Sequence, residues 1–141
     1  MNTIILVEDD PLQTELLKEE LTKEFQQLRI EVVTTESEFV SKLEYLVTLQ
    51  PKLLLIDVML LWAYPGTNVP KPPADYQGFA RAGLRCLRLW RDTGSKAKIL
   101  IHSVMPEAEI KLDVQDLDGC FTYVAKDDEG ENLAELVRKA L

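Results

Sequence analysis

The sequence has little cysteine, a single histidine and no long apolar run, and each shortage excludes a class of protein. The two cysteines, Cys86 and Cys120, lie far apart without CxxC spacing, so they indicate reduced residues rather than a disulfide framework. No apolar stretch approaches the roughly 20 residues that a membrane span needs. The N-terminus has no basic region ahead of its apolar stretch, unlike a signal peptide. We therefore expect a cytoplasmic protein without membrane contact.

Basic charge is also scarce. The 141 residues carry a formal net charge of −8, whereas a protein that binds nucleic acid needs a basic face to displace counterions. We therefore expect no direct nucleic-acid partner. The hydrophobic share of 46% is large enough for a packed core. Length and composition together predict one domain that spans residues 1–141.

Strand-like and helix-like segments alternate five times along the chain. Buried parallel strands read as continuous apolar runs, and amphipathic helices follow each one. Helix one is expected to begin after the cap Asp10 and to bury a stripe formed by Leu16, Leu17, Leu21 and Phe25. The predicted strands cover about 3–7, 30–34, 53–57, 98–102 and 121–125, and the helices about 11–27, 35–50, 78–92, 106–116 and 130–141.

This alternation predicts an α/β fold. Right-handed crossovers between parallel strands place helices on both faces of the sheet. Five units of this length fit the doubly wound, flavodoxin-like order 2-1-3-4-5, in which strand one lies between strands two and three.

Prolines cluster in one segment and interrupt the alternation. Residues 60–77 contain Pro65, Pro70, Pro72 and Pro73, which are four of the seven prolines. A long segment without regular structure in a small domain is usually functional or disordered. We interpret it as an insertion that docks a partner or acts as a lid.

Four of the five apolar runs end in a functional group suited to phosphoryl chemistry. Glu8-Asp9-Asp10 follows the first run, Asp57 the third, Ser103 the fourth and Lys126 the fifth. Ligand sites of open α/β sheets lie at the carboxyl ends of the strands. If the strands are neighbours, carboxylates, a hydroxyl and an ammonium converge at one edge. The spacing therefore predicts a magnesium and phosphate site.

At these residues the sequence resembles the receiver domain of bacterial two-component response regulators. The resemblance covers nearly the whole chain apart from the proline-rich segment. It implies that Asp57 is the phosphoacceptor and that Ser103 and Lys126 bind phosphoryl oxygens. It also implies that Tyr123, three residues before the lysine, is a switch aromatic together with Ser103. The resemblance thus implies primarily a signalling phosphoacceptor, with self-phosphorylation and self-dephosphorylation as its only chemistry.

The resemblance implies Mg²⁺ as the cofactor. Asp9, Asp57 and the backbone carbonyl of Met59 would bind it directly, and Glu8 would act through water. Met59 and Met105 occupy positions that tune attack by water on the acyl phosphate. Two apolar side chains there predict slow self-dephosphorylation. The alternative that both methionines only pack in the core stays equally open.

The sequence departs from the family in several places. The family's methionine-proline pair after the phosphoacceptor is replaced by Leu60 and Leu61, and Asp127 replaces the proline after the lysine. Gly83 best matches the glycine that opens helix three, but it follows Asp57 at a much longer interval than usual. These departures leave the cis turn after the lysine in doubt.

The implied partners are a sensor histidine kinase or phosphotransfer protein upstream, and a further protein downstream. The downstream partner would contact the face of helix four, strand five and helix five, or the insertion at 60–77. Two alternatives stay open. One is a pseudo-receiver that binds partners without phosphorylation. The other is a phosphohydrolase with an aspartate nucleophile, although Met59 occupies the place where such an enzyme needs a second aspartate.

Other charged residues have simpler interpretations. His102 could be a phosphohistidine or a base, but its place beside Ser103 in a strand favours a structural role facing the other way. The acidic run after strand one could serve only as a helix N-terminus. Arg81, Arg85 and Arg88 share a helical face, and a solvated stripe is the favoured interpretation for them. The acidic cluster Asp113, Asp116 and Asp118 is interpreted in the same way.

Overall fold

A five-stranded parallel sheet forms the centre of the computed structural model, which describes residues 1–126 and 131–141. The strands are ordered β2-β1-β3-β4-β5, so the predicted order 2-1-3-4-5 is confirmed. Their register places the ends of β1 and β3 side by side, with Val7 opposite Ile56. The five strands are β1 (Asn2–Val7), β2 (Leu28–Val33), β3 (Leu53–Ile56), β4 (Lys98–Ser103) and β5 (Thr122–Ala125).

Five helices connect or follow the strands. Helix α3 is preceded by a 3₁₀ helix at Phe79–Arg81, and α4 is followed by another at Gln115–Leu117, where one longer helix was predicted. The helices are α1 (Pro11–Glu24), α2 (Glu36–Thr48), α3 (Ala82–Asp92), α4 (Glu107–Asp113) and α5 (Glu131–Ala140). In the described residues, none of them has the length and apolar character to cross a membrane.

The sheet buries a separate hydrophobic core on each face. Alternate residues of a strand point to opposite faces, so Ile4 and Leu6 pack with α1 and α5. Ile5 and Val7 pack with α2, α3 and α4 on the other side. The strands are buried on both faces, and for this reason they appear in the sequence as continuous apolar runs.

The helix starts follow their local sequence signals. The Asp10 side chain accepts a hydrogen bond from the backbone N–H of Leu12 at 2.9 Å and so caps α1. Thr35 caps α2 through the N–H of Glu38. The predicted inward stripe of α1 is wrong at one position, because Leu16 is 52% exposed while its neighbour Leu17 is buried.

The arginine stripe of the 3₁₀ helix Phe79–Arg81 and of α3 forms ion pairs. Arg81 forms an ion pair with Asp113, and Arg88 binds Asp116 at 2.9 Å. Arg85 binds the buried Glu36. The predicted solvent exposure of the aspartates is confirmed, since Asp113 and Asp116 are both exposed. Their ion pairs with arginines 32 and 28 residues away were not predicted.

Candidate functional site

An open depression of about 360 Å³ lies at the carboxyl edge of the sheet. Because β1, β3 and β5 are parallel, the residues that follow each of them reach this same edge. The structure thus brings together Glu8, Asp9, Asp57 and Lys126, which are far apart in the sequence. The depression is lined by Glu8, Asp9, Asp10, Asp57, Met59, Leu61, Phe79, Val104 and Lys126.

Lys126 links two nearly buried carboxylates. Its Nζ lies 2.6 Å from Oδ2 of Asp57 and 2.8 Å from Oε2 of Glu8. The side chain of Glu8 is only 2% exposed and that of Asp57 only 5%. Met59 N–H donates to the other Asp57 oxygen, Oδ1, at 3.2 Å. The ammonium is therefore the main partner of the Asp57 carboxylate.

The ionisation of this group follows from burial and charge. Burial raises the pKa of Glu8, and the hydrogen bond from Lys126 offsets that effect only in part. Burial opposes the charged form of Lys126, but the hydrogen bonds and charges of Asp57 and Glu8 outweigh it and raise the pKa of the ammonium. Lys126 is consequently charged at neutral pH, ready to bind an anionic group.

Asp9 is held from the side of the proline-rich insertion. The N–H of Leu61 donates to Oδ2 of Asp9 at 2.8 Å, and the hydroxyl of Tyr64 donates to the backbone carbonyl of Asp9. The charge of Asp9 and the burial of the phenol both favour the neutral phenol, so the pKa of Tyr64 is raised, with burial as the larger cause. One expected metal ligand is thus fastened to the insertion.

Ser103 and Tyr123 are linked to each other through one loop beside the depression. Ser103 is completely buried, and its Oγ accepts a hydrogen bond from the N–H of Met105 at 3.1 Å. The hydroxyl of Tyr123 donates to the carbonyl of Met105 at 2.7 Å. Ser103 does not line the depression, whereas its neighbour Val104 does. The turn at 103–105 therefore connects the hydroxyl to the aromatic side chain.

His102 faces the opposite side of the sheet from Ser103. It follows Leu100 by two residues and pairs with Val124, and both of these belong to the core beneath α1 and α5. Its Nδ1 is buried and has no hydrogen-bond partner within residues 1–126 and 131–141. Burial and, secondarily, the charge of Lys126 lower the pKa of His102 from 6.5 to about 4. The imidazole is therefore neutral at pH 7.

His102→Leu is expected to make stability less sensitive to acid. The pKa of His102 is near 6.5 when unfolded and about 4 when folded, so the unfolded chain binds the extra proton first. The wild type should thus lose stability as the pH falls from 6.5 towards 4, by up to about 3 kcal/mol. Urea unfolding of both proteins across this range measures the difference, and parallel pH profiles would contradict the assignment.

The oxygen donors of the depression suit Mg²⁺. Four carboxylates and one ammonium line it, so its formal charge is negative. Carboxylate oxygens are among the hard ligands that Mg²⁺ prefers. The expected direct carboxylate ligands are only two, Asp9 and Asp57. In the described part of the chain, no three histidine, cysteine or acidic side chains are grouped as a metal cluster. The chemistry of the donor set fits a magnesium ion.

The insertion contacts the domain at a few points, although its residues 64–75 are all exposed. Its carbonyl groups at Leu61 and Trp62 accept hydrogen bonds from the N–H groups of Glu36 and Ser37, which are free donors at the start of α2. The Trp62 indole donates to the carbonyl of Pro70 at 2.8 Å. The segment therefore completes the N-terminus of α2.

Aromatic and charged contacts hold the far end of the insertion. The ring of Tyr76 packs edge-on against Trp62, with 5.8 Å between the centroids. The guanidinium of Arg85 lies 5.0 Å above the Tyr76 ring and also binds Glu36 through two hydrogen bonds of 2.8 Å. Burial is the largest cause that raises the pKa of Tyr76. This packing ties the insertion to both α2 and α3.

Sequence reasoning missed the residues that join the insertion to the site. Leu61 acts through its backbone N–H. Every residue except proline has this group, so the identity of the residue does not reveal the contact. Tyr64, Trp62 and Tyr76 carry a weak signal, since aromatic residues inside a proline-rich segment favour packing over disorder. Asp127 lies outside the described residues.

Comparison with known proteins gives the fold. No family model matches the chain, and no curated protein matches its sequence. The response regulator TrrA from Thermotoga maritima, solved in complex with Mg²⁺ and BeF, is 23% identical with a TM-score of 0.70, and the match covers 100% of both chains.

Two further solved structures agree. A response regulator receiver protein from Pseudoalteromonas atlantica has a TM-score of 0.72 at 11% identity, covering 98% of this chain and 95% of its own. The BeF₃-activated receiver domain of DrrB has a TM-score of 0.65 at 22% identity, covering 99% and 97%. The predicted resemblance is thereby confirmed at the level of the fold: the chain has the five-stranded, doubly wound architecture of receiver domains.

Proposed function

We propose that this protein is a response regulator receiver that accepts a phosphoryl group on Asp57 from a sensor histidine kinase or a phosphotransfer protein. The observation that carries the proposal is the position of the Lys126 ammonium, 2.6 Å from Asp57 and 2.8 Å from Glu8 at the carboxyl edge of the sheet. A buried carboxylate that faces a charged lysine in an acidic depression combines a nucleophile with a binding group for the incoming anion.

The transfer is a displacement at phosphorus. An oxygen of Asp57 forms a bond to phosphorus, and the bond from phosphorus to the donor nitrogen breaks and leaves its electron pair on that nitrogen. Lys126 then binds a phosphoryl oxygen in place of the Asp57 oxygen. Asp9, Asp57 and the Met59 carbonyl would hold Mg²⁺, with Glu8 acting through water. When bound, Mg²⁺ supplies charge stabilisation to the phosphoryl group.

The turn at 103–105 supports a route from the site to the surface. A hydrogen bond from the Ser103 hydroxyl to a phosphoryl oxygen draws this turn toward Asp57. The carbonyl that Tyr123 binds belongs to the same turn, so movement there releases the Tyr123 hydroxyl and lets the ring turn inward. The face of α4, β5 and α5 changes with it, as a two-state element biased by local charge.

The cellular context belongs to the same proposal. The protein acts in the cytoplasm, and it signals through contacts with another protein. The α4–β5–α5 face or the insertion at 60–77 binds that partner. The edge-on contact between Trp62 and Tyr76 supports a defined surface there.

Incubation with acetyl phosphate and Mg²⁺, followed by intact mass measurement, tests the phosphoacceptor. The wild type should gain the mass of one phosphoryl group, and Asp57→Asn should gain none because the nucleophilic carboxylate is gone. Asp113→Asn is a matched control on the surface and should behave as the wild type. An unmodified wild type would favour the phosphorylation-independent pseudo-receiver, and rapid multiple turnover would favour the phosphohydrolase.

Met59→Asn and Met105→Glu are expected to shorten the lifetime of the phosphorylated form. The thioether side chains of Met59 and Met105 are poor hydrogen-bond partners for an attacking water, whereas an amide or a carboxylate can orient it. Loss of phosphate from purified, phosphorylated protein over time measures the rate. An unchanged half-life in both variants would support a packing role for the two methionines.

A further inference from the structure

The insertion makes polar contacts with an expected metal ligand, Asp9. Asp9 receives two hydrogen bonds from it, one from the Leu61 N–H to Oδ2 at 2.8 Å and one from the Tyr64 hydroxyl to the backbone carbonyl. The donors lie 52 and 55 residues away in the sequence. One bond fixes the side chain and the other fixes the main chain, so the orientation of Asp9 depends on the insertion.

The Leu61 N–H is itself held in place. On its other side the Leu61 carbonyl accepts a hydrogen bond of 2.8 Å from the N–H of Glu36, and Trp62 does the same for Ser37 at 2.9 Å. These are helix N-terminal donors, whose positions are set by α2. The indole of Trp62 is fastened in turn to Pro70. The donor that reaches Asp9 is thus positioned in part by the start of α2.

A hydrogen bond to one oxygen of a carboxylate restricts the orientation of the whole group, including the other oxygen. The bond from Leu61 engages Oδ2 of Asp9, and Asp9 lines the depression together with Asp57 and Met59. Metal-binding carboxylates are commonly oriented by such outer hydrogen bonds, and loss of the outer partner costs about 10- to 100-fold in metal affinity.

We infer that the insertion is the outer layer of the cation site, in which the Leu61 N–H positions Asp9 for Mg²⁺ and Tyr64 supports it. This inference rests on the proposed function, because it assigns the insertion a role at the same site. Binding of Mg²⁺ and order in the insertion are then linked, and the linkage is reciprocal. A protein that lifts the insertion off α2 lowers the affinity for Mg²⁺ and with it the capacity for phosphorylation.

The backbone donor can be removed by one substitution. Proline has no N–H but keeps the carbonyl that Glu36 needs, so Leu61→Pro deletes the bond to Asp9. Leu61→Ala keeps the N–H and shortens a side chain that is already partly exposed, which makes it the matched control. Tyr64→Phe removes only the second bond.

Titration of the unphosphorylated full chain with Mg²⁺ by calorimetry tests the inference. Leu61→Pro is expected to weaken binding about 10- to 100-fold, with a smaller loss in Tyr64→Phe and wild-type affinity in Leu61→Ala. Equal affinities in the wild type and Leu61→Pro would overturn it. An equal loss in Leu61→Ala, or no Mg²⁺ binding by the wild type, would overturn it as well.

A second measurement needs only the wild type, in case Leu61→Pro does not fold. Hydrogen exchange of the Leu61 amide, followed by NMR, should slow when Mg²⁺ is added, because the cation stabilises its acceptor. Exchange that is unaffected by Mg²⁺ would overturn the inference. Failure here leaves the proposed function intact if the wild type still accepts a phosphoryl group from acetyl phosphate, whereas absence of that adduct counts against the function itself.

Discussion

Replacing Gly83 with alanine is expected to destabilise the protein by about 3 kcal/mol or more, at the upper end of the effects of overpacking. A Cβ at Gly83 would lie 2.0 Å from the carbonyl oxygen of Asp57 and 2.7 Å from the Cα of Val58. Both neighbours are backbone atoms, so no rotamer change relieves the contact. The N–H of Gly83 also donates to the carbonyl of Val58 at 2.8 Å, which holds the start of α3 against the end of β3.

The same close approach links stability to the site. The backbone that must move belongs to Asp57, so the variant is expected to lose phosphoryl acceptance as well as stability. Urea unfolding measures the first effect, and intact mass after acetyl phosphate treatment measures the second. Gly66→Ala is the control, because its Cβ would meet nothing within 4 Å and the change should be neutral or stabilising by up to about 1 kcal/mol. Equal stability of the two variants would contradict the steric argument.

The importance of Gly83 could be suspected from the sequence, but its reason could not. A glycine near the start of a helix is visible in the chain, and the interval from Asp57 shows that an insertion has been placed between them. The contact itself depends on how α3 crosses the end of β3. Tertiary approaches of this kind leave no periodicity, so only the structure supplies the distances.

The sheet, by contrast, was predictable because its signals are local. Each strand is an apolar run such as Leu53–Ile56, and the capping residues Asp10 and Thr35 mark two helix starts. Convergence of Glu8 and Lys126 then follows from parallel topology alone. The insertion was not predictable beyond its existence, because its structure consists of backbone hydrogen bonds to α2 and of contacts between aromatic side chains.

Ion pairs between different helices were the other feature that the sequence did not predict. The bidentate contact between Arg85 and Glu36 joins residues 49 positions apart. In the sequence, only its place in the first turn of a helix distinguished Glu36, and that place did not indicate a partner. Its burial is possible because the guanidinium compensates the charge that burial would otherwise penalise. A sequence pattern records residue spacing along one helix, and it cannot record which acid a neighbouring helix presents.

Lys126→Met is expected to cost about 3–5 kcal/mol at neutral pH, the usual effect of removing one partner from a buried ion pair. The lysine side chain is 10% exposed, and it compensates two carboxylates that are buried almost completely. Without it, Glu8 and Asp57 face each other uncompensated. Urea unfolding at pH 7 measures the loss. Lys111→Met is the control, since Lys111 pairs with Glu107 on an exposed helix face and should cost no more than about 0.5 kcal/mol.

The pH dependence of Lys126→Met distinguishes lost charge compensation from lost packing. Burial already raises the pKa of Glu8, and loss of Lys126 removes the group that opposes that rise. A carboxyl whose pKa is raised in the folded state gains stability by protonation, so the variant should recover part of its loss as the pH falls through that pKa. The double variant Lys126→Met with Glu8→Gln should recover part of the loss already at pH 7, because one buried charge is gone. The loss of stability could instead be independent of pH and not relieved by Glu8→Gln. That result would mean that the lysine stabilises the fold through packing of its aliphatic stem, and that its ammonium does not stabilise the Asp57 carboxylate.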